Sequence, residues 1–236
     1  MRVLLITGWG FTEDIWQPFE RKVADEWQVK SLDFLRGFTE ISNSGYCRQL
    51  KSIIKQFKPD AVVGWSMGAI VILETLADFE LPDFLTVLLA GSARFIQEDD
   101  TAPAGIEPVR LRAMKRGISR NPVSTLEQFY SLAASPEENK SKIAQIDNPG
   151  SWQKKLLEGL EYLEGVDLTD RLDKIDRRVQ LIHGREDAVI PFRAGCYLNN
   201  KLPGGNLIEA GGGHLAPVRS PGVLVEILQN YLEGCR

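Results

Sequence analysis

A single α/β domain, with a mostly parallel sheet of about six strands and one helical insertion, is the fold that these 236 residues predict. Three observations carry the prediction. Short apolar runs alternate with longer amphipathic stretches as far as residue 92; the alternation stops between residues 93 and 169; and it resumes from about residue 170 to the end. Alternating strand-like and helix-like segments are the signature of β-α-β units.

The elements follow in order. "RVLLIT" (2 to 7), "WQVKSLDF" (27 to 34), "DAVVGW" (60 to 65) and "FLTVLLAG" (84 to 91) are apolar, rich in β-branched or aromatic residues and short, as strands are. Between them, "CRQLKSIIKQF" (47 to 57) and "MGAIVILETLADF" (67 to 79) have helical spacing of their apolar residues. From 93 to 169, Gly and Pro separate charged, helix-periodic pieces: "EPVRLRAMKRGI" (107 to 118), "STLEQFYSLA" (124 to 133) and "SWQKKLLEGLEYLEG" (151 to 165). Such an insertion is expected to sit as a lid over the carboxyl ends of the strands, where open α/β sheets bind ligands. "RVQLIHG" (178 to 184), "GNLIEAGG" (205 to 212) and a closing helix "SPGVLVEILQNYL" (220 to 232) complete a core of residues 1–92 and 170–236.

Composition narrows the function classes. A hydrophobic fraction of 43% and a charged fraction of 25% are globular values, and a net charge of -4 argues against a general affinity for nucleic acid. The first apolar run, Val3 to Thr7, is too short for a signal-peptide core or a membrane span, so a cytoplasmic location away from the membrane is expected. Cys47, Cys196 and Cys235 are odd in number and form no C-x-x-C pair, which predicts ordinary reduced thiols. No metal-ligand cluster, phosphate loop or dinucleotide fingerprint is visible, so neither metal nor cofactor is expected.

The chemistry concentrates in "VVGWSMGAI" (62 to 70). A strand, Gly64-Trp65-Ser66-Met67-Gly68 and then a helix is the context of a G-x-S-x-G nucleophile elbow. A serine held on so tight a turn needs small residues two positions away on each side, so that strand and helix can approach without collision. A serine hydroxyl also needs a base, most often histidine, and only two are present. His183 ends a strand and reads as a packed or hydrogen-bonded residue. His214 lies on the glycine-rich loop "AGGGHLAPV", where a side chain is readily presented to a cleft, and is the predicted base. The acid that orients it comes from "HGREDAVIP" (183 to 191); Asp187, shorter and next to the apolar pair Val189 and Ile190, is preferred over Glu186, which reads as a surface charge.

Two backbone N–H donors are needed for the oxyanion of a tetrahedral intermediate. Met67, directly after the nucleophile, should supply one. Trp9, in the "TGWGF" loop (7 to 11), should supply the other, and its ring could equally anchor the loop in the core. Phe95, Phe129 and Tyr130, with Trp9 and Met67, are candidates for an apolar acyl slot. The order Ser66, Asp187, His214 is that of the α/β hydrolases.

The sequence resembles the α/β-hydrolase family of BioH-type pimeloyl-acyl-carrier-protein methyl ester carboxylesterases of biotin synthesis. The likeness rests on "LLITGWGFTEDIWQPF", "GWSMGA", "GREDAVIP" and "GGGHLAPVRSP", and extends into the insertion through "GIEPVRLRAMKRGIS", "TLEQFYSLA" and "LEGLEYLEGVDLTDRL". It implies Ser66 as nucleophile, His214 as base, Asp187 as orienting acid, Trp9 and Met67 as oxyanion donors, and no cofactor. It implies release of methanol from a pimeloyl chain carried on acyl carrier protein, under a helical cap at 93 to 169. The first strand here corresponds to the family's third, hence six strands rather than eight. Ser124 and Gln128 stand where the family places carrier-binding charge, while Arg110, Arg112, Lys115, Arg116 and Arg120 form the densest basic stretch and are the candidates to meet an acidic carrier. Within the same site, a general short-chain esterase, a thioesterase or a C-C bond hydrolase is the alternative, and a non-catalytic ligand-binding relative is the reading from another class.

Overall fold

A computed structural model describes residues 1–23, 26–39, 45–97, 105–136, 145–219 and 221–234. Its strands are β1 (Arg2–Ile6), β2 (Gln28–Leu32), β3 (Ala61–Trp65), β4 (Leu85–Leu89), β5 (Val179–Gly184) and β6 (Asn206–Ala210). Its helices are α1 (Gln17–Val23), α2 (Gly45–Phe57), α3 (Met67–Asp78), α4 (Pro108–Arg120), α5 (Pro122–Ala134), α6 (Gln153–Gly165), α7 (Phe192–Lys201), α8 (Ala216–Arg219) and α9 (Pro221–Gly234).

The six strands form one sheet in the order β2-β1-β3-β4-β5-β6, and every described pairing is parallel. Burial explains the strand compositions. β1, β3 and β4 lie inside, covered on both faces, and their sequences RVLLI, AVVGW and LTVLL are nearly continuous apolar runs. The edge strands β2 (QVKSL) and β6 (NLIEA) are partly exposed and carry polar residues. The chain runs from β1 outward to β2 and then crosses back to β3. Strand order therefore reverses between β1 and β3, and the loops after these two strands, residues 7 to 11 and the turn at Ser66, face a common crevice.

Three helices went unrecognised in the sequence, among them the four-residue α8. α1 follows a short 3-10 turn (Glu13–Trp16), and α7 has the composition FRAGCYLNNK, in which Gly195 and two asparagines lower helix propensity. Gly195 is needed there, because a Cβ would lie 2.7 Å from His183 Nδ1.

Helices α4, α5 and α6 all fall between β4 and β5, where no strand was predicted; only isolated bridges, Arg94 with Asp167 and Ile96 with Ile106, occur there among the described residues. Leu168 N–H donates to the Ala93 carbonyl at 2.9 Å, so the insertion leaves and rejoins the sheet at one place. Pro108 and Pro122 start α4 and α5, and the Asn121 side chain accepts the Ser124 N–H at 3.1 Å, which turns one helix tightly into the next. Leu111, Leu126, Leu156 and Leu160 of these helices join the buried sheet residues in one apolar cluster. Cys47 is buried and Cys196 half-buried, both as free thiols, while Cys235 lies outside the described residues.

Candidate active site

The turn between β3 and α3 holds Ser66 at φ 56°, ψ -121°, a left-handed backbone that a residue with a side chain adopts at a cost of about 1–3 kcal/mol. Its neighbours explain how the conformation is enforced. A Cβ on Gly68 would lie 2.5 Å from the Ile6 carbonyl oxygen, and one on Gly64 would lie 2.7 Å from the Gly68 carbonyl oxygen. Both glycines therefore supply clearance between β1, β3 and α3. Gly68→Ala is expected to lower stability by about 1–3 kcal/mol, since the obstacle is backbone that cannot swing aside. Thermal denaturation checks it, and an unchanged melting temperature would contradict the packing.

His214 Nε2 lies 3.0 Å from Ser66 Oγ, and His214 Nδ1 lies 2.7 Å from Asp187 Oδ2. The other oxygen of Asp187, Oδ1, accepts the backbone N–H groups of Val189 and Ile190, each at 2.8 Å. All three side chains are buried. Burial alone would raise the Asp187 pKa; the facing His214, a hydrogen bond from His183 and the bond from His214 outweigh it and hold the carboxyl well below the usual carboxylate range. The backbone of His214 is fixed as well, because the Trp65 indole N–H donates to its carbonyl at 3.1 Å.

The loop after β1 runs beside this turn, close enough that a Cβ on Gly8 would lie 2.9 Å from Ser66 Cβ. Met67 is the first residue of α3, where a helix leaves its backbone N–H groups without intrahelical partners.

The side chains proposed for an acyl slot separate into two groups. Phe95 and Phe129 line a cavity of about 380 Å³ together with Ile106, Met114, Leu132 and Val189, with Arg110 also on its wall. Trp9, Met67 and Tyr130 do not line it. The Trp9 indole N–H donates to the Leu156 carbonyl at 2.9 Å, and its ring meets Phe129 edge-on at 4.9 Å. Met67 lies beneath α6, where a Cβ on Gly159 would come 3.7 Å from its sulfur. Tyr130, whose phenol burial pushes up to about 12, donates to the Gly10 carbonyl at 2.8 Å and accepts the Ile146 N–H at 3.1 Å. Trp9 and Tyr130 thus fasten the inserted helices to the loop beside Ser66.

Of the basic residues on α4, Arg112, Arg116 and Arg120 are exposed and spaced i, i+4, i+8 along one stripe. Lys115 is turned toward α6, its amine 2.8 Å from Glu164, and Arg110 lies 3.8 Å from Glu107. Glu186 is exposed, as read from the sequence. Among the described residues, no group of three His, Cys, Asp or Glu side chains is placed to hold a metal ion, and no helix is long and apolar enough to cross a membrane.

Residues 3–227 match the alpha/beta hydrolase family. The chain belongs to that family. This α/β hydrolase is 28% identical over 216 residues to the pimeloyl-[acyl-carrier protein] methyl ester esterase of Pseudoalteromonas atlantica, covering 84% of this chain and 81% of that protein. It is 25% identical over 211 residues to the protein of the same name from Aliivibrio fischeri, covering 85% and 81%. Among solved structures, an esterase from Exiguobacterium antarcticum aligns with a TM-score of 0.80 at 20% identity, over 99% of this chain and 92% of that one. A bromoperoxidase from Bacillus anthracis gives the same TM-score at 19% identity, over 98% and 91%. Likenesses at these identities establish the shared fold, and the six-stranded parallel sheet of this α/β hydrolase agrees with it.

Proposed function

We propose that this α/β hydrolase is a serine carboxylesterase that removes methanol from the methyl ester of pimeloyl-acyl carrier protein. The observation that carries the proposal is the unbroken line from Ser66 Oγ through His214 to Asp187, at 3.0 and 2.7 Å. His214 Nε2 takes the Ser66 proton as Oγ attacks the ester carbonyl. The oxyanion forms against the N–H groups of Trp9 and Met67. On collapse the C–O bond to methanol breaks, and His214 returns the proton to the leaving oxygen. Water then attacks the acyl-enzyme with His214 again as base, releasing the carboxylic acid and Ser66. Asp187 fixes the tautomer with the proton on Nδ1 and stabilises the imidazolium.

The substrate part of the proposal is supported by the names of the relatives, by an apolar cavity whose wall reaches Ala188 and Val189, next to Asp187 in the chain, and by the exposed stripe Arg112, Arg116 and Arg120 on the inserted helices, which serve as a cap over the crevice. A basic stripe suits an acidic carrier protein, which small esters do not need. The reaction is proposed to take place in the cytoplasm, as a step of biotin synthesis. The test compares the carrier-linked methyl ester with free dimethyl pimelate. The carrier-linked substrate is expected to have a kcat/KM at least about tenfold higher. Changing Arg112, Arg116 and Arg120 together to Glu is expected to erase that advantage while leaving the free diester within about twofold. Equal rates on both substrates in the unaltered protein would leave a general esterase, and faster cleavage of the matching thioester would leave a thioesterase.

A further inference from the structure

We infer that His183 is a positioning residue that holds Asp187 in line with His214; the inference rests on the triad reading above. His183 closes β5, four residues before the acid. Its Nε2 lies 2.9 Å from the Ile190 carbonyl oxygen and 3.4 Å from Asp187 Oδ2, the same oxygen that accepts from His214 Nδ1 at 2.7 Å. Both neighbours of Nε2 are acceptors, so that nitrogen carries a hydrogen and donates. The Nε2 hydrogen bonds the Ile190 carbonyl and faces Oδ2 at the longer distance, so the carboxylate has three short N–H donors, two from the backbone at Oδ1 and His214 at Oδ2, with the His183 N–H beside Oδ2 as a fourth neighbour.

The His183 ring cannot leave this position. A Cβ on Gly195 of α7 would lie 2.7 Å from its Nδ1, and Phe192 meets it edge-on at 5.9 Å. The ring thus ties both ends of the 187–190 turn to the end of β5, a strand paired on both sides. Among the described residues, the charged or titratable side chains shown in contact here are Asp187, against His183, and His214, against Asp187. The other ones nearby point elsewhere: Arg185 lies over the Phe192 ring and pairs with Glu209 at 3.4 Å, Glu186 is exposed, and Arg193 bonds Gln97 at 2.6 Å.

The division of Oδ2 between two imidazoles has a consequence for catalysis. With the His183 donor removed, Oδ2 is left to His214 alone and pulls harder on its Nδ1–H. The protonated base is favoured, and the acid limb of the kcat/KM profile moves to higher pH. The carboxylate keeps its backbone donors at Oδ1 but loses the second contact at Oδ2 that fixes its line to His214, so kcat falls while KM stays. A residue that merely filled space would not move the limb.

The experiment compares His183→Gln, whose amide nitrogen reaches the position of Nε2, with His183→Met, which is similar in length and has no donor. Hydrolysis of p-nitrophenyl acetate across pH is read per serine labelled by a fluorophosphonate. His183→Met is expected to lose about tenfold in kcat with unchanged KM, and its acid limb to rise by about half a pH unit, while His183→Gln stays close to the unaltered protein. If His183→Met does not fold, His183→Asn, whose shorter amide stops short of Asp187, takes its place with the same expectation. An unmoved limb with full kcat in the donor-free variant, or an equal loss in His183→Gln, overturns the inference. A wild-type chain that neither cleaves the ester nor takes the label overturns the triad reading and this inference with it, so the two failures are told apart.

Discussion

Ser66→Ala is expected to reduce kcat on short acyl esters by about 10⁴–10⁶-fold while leaving the fold intact. The size follows from what the hydroxyl does. Without Oγ no acyl-enzyme forms, and His214 Nε2 faces a methyl group, so only oxyanion stabilisation and binding are left to promote direct attack by water. The unaltered fold follows from the backbone. The left-handed angle at residue 66 is imposed by the approach of β1, β3 and α3, and alanine bears the same strain as serine. One buried hydrogen bond at 3.0 Å is lost, and melting temperature should change by a few degrees at most. Initial rates, circular dichroism and fluorophosphonate labelling check the three parts separately. Activity at the wild-type level in Ser66→Ala would remove Ser66 from the mechanism whatever the distances are.

Much of the fold was legible because the residues concerned answer to local constraints. The interior strands β1, β3 and β4 are apolar runs whose short length leaves little choice, and Gly64 and Gly68 flank Ser66 for a steric reason that any sequence making this turn must satisfy. α7 was illegible for the converse reason: Gly195, the residue that weakens it as a helix, is set by a ring on β5, far away in the helix's own periodicity. Side-chain roles were harder still. Tyr130 was chosen as an apolar wall and Trp9 as a wall or an anchor, and each spends its polar atom on a backbone carbonyl between the loop after β1 and the insertion, a partner with no fixed spacing in sequence. His183 read as packed, which it is; that its packing partner is the carboxylate of the proposed triad depends on how the 184–187 turn folds back. A strand-end histidine four residues before the acid was the available signal.

Asp187→Asn is the second change with a large expected effect, and it acts on both activity and stability. The amide keeps one oxygen for the Val189 and Ile190 N–H groups, which leaves its NH₂ facing Nδ1 of His214 and Nε2 of His183. Donor then meets donor. His214 is driven to the other tautomer, with its hydrogen on Nε2 pointing at Ser66, and cannot accept the serine proton; a loss of about 10⁴ in kcat is the scale for this change. The stability effect has a definite sign with pH. The folded-state pKa of Asp187 is depressed, so its contribution is present above the unfolded value near 3.9 and is lost as pH falls through the folded value. Urea denaturation should find Asp187→Asn less stable than the wild type by about 1–3 kcal/mol at pH 7, and the gap should narrow as the pH is lowered below about 4. A gap of constant size across that range would mean that the carboxylate is held no more tightly in the folded chain than in the unfolded one. The N–H groups around it would then be unable to fix His214, and the short distances in the site would not amount to a prepared base.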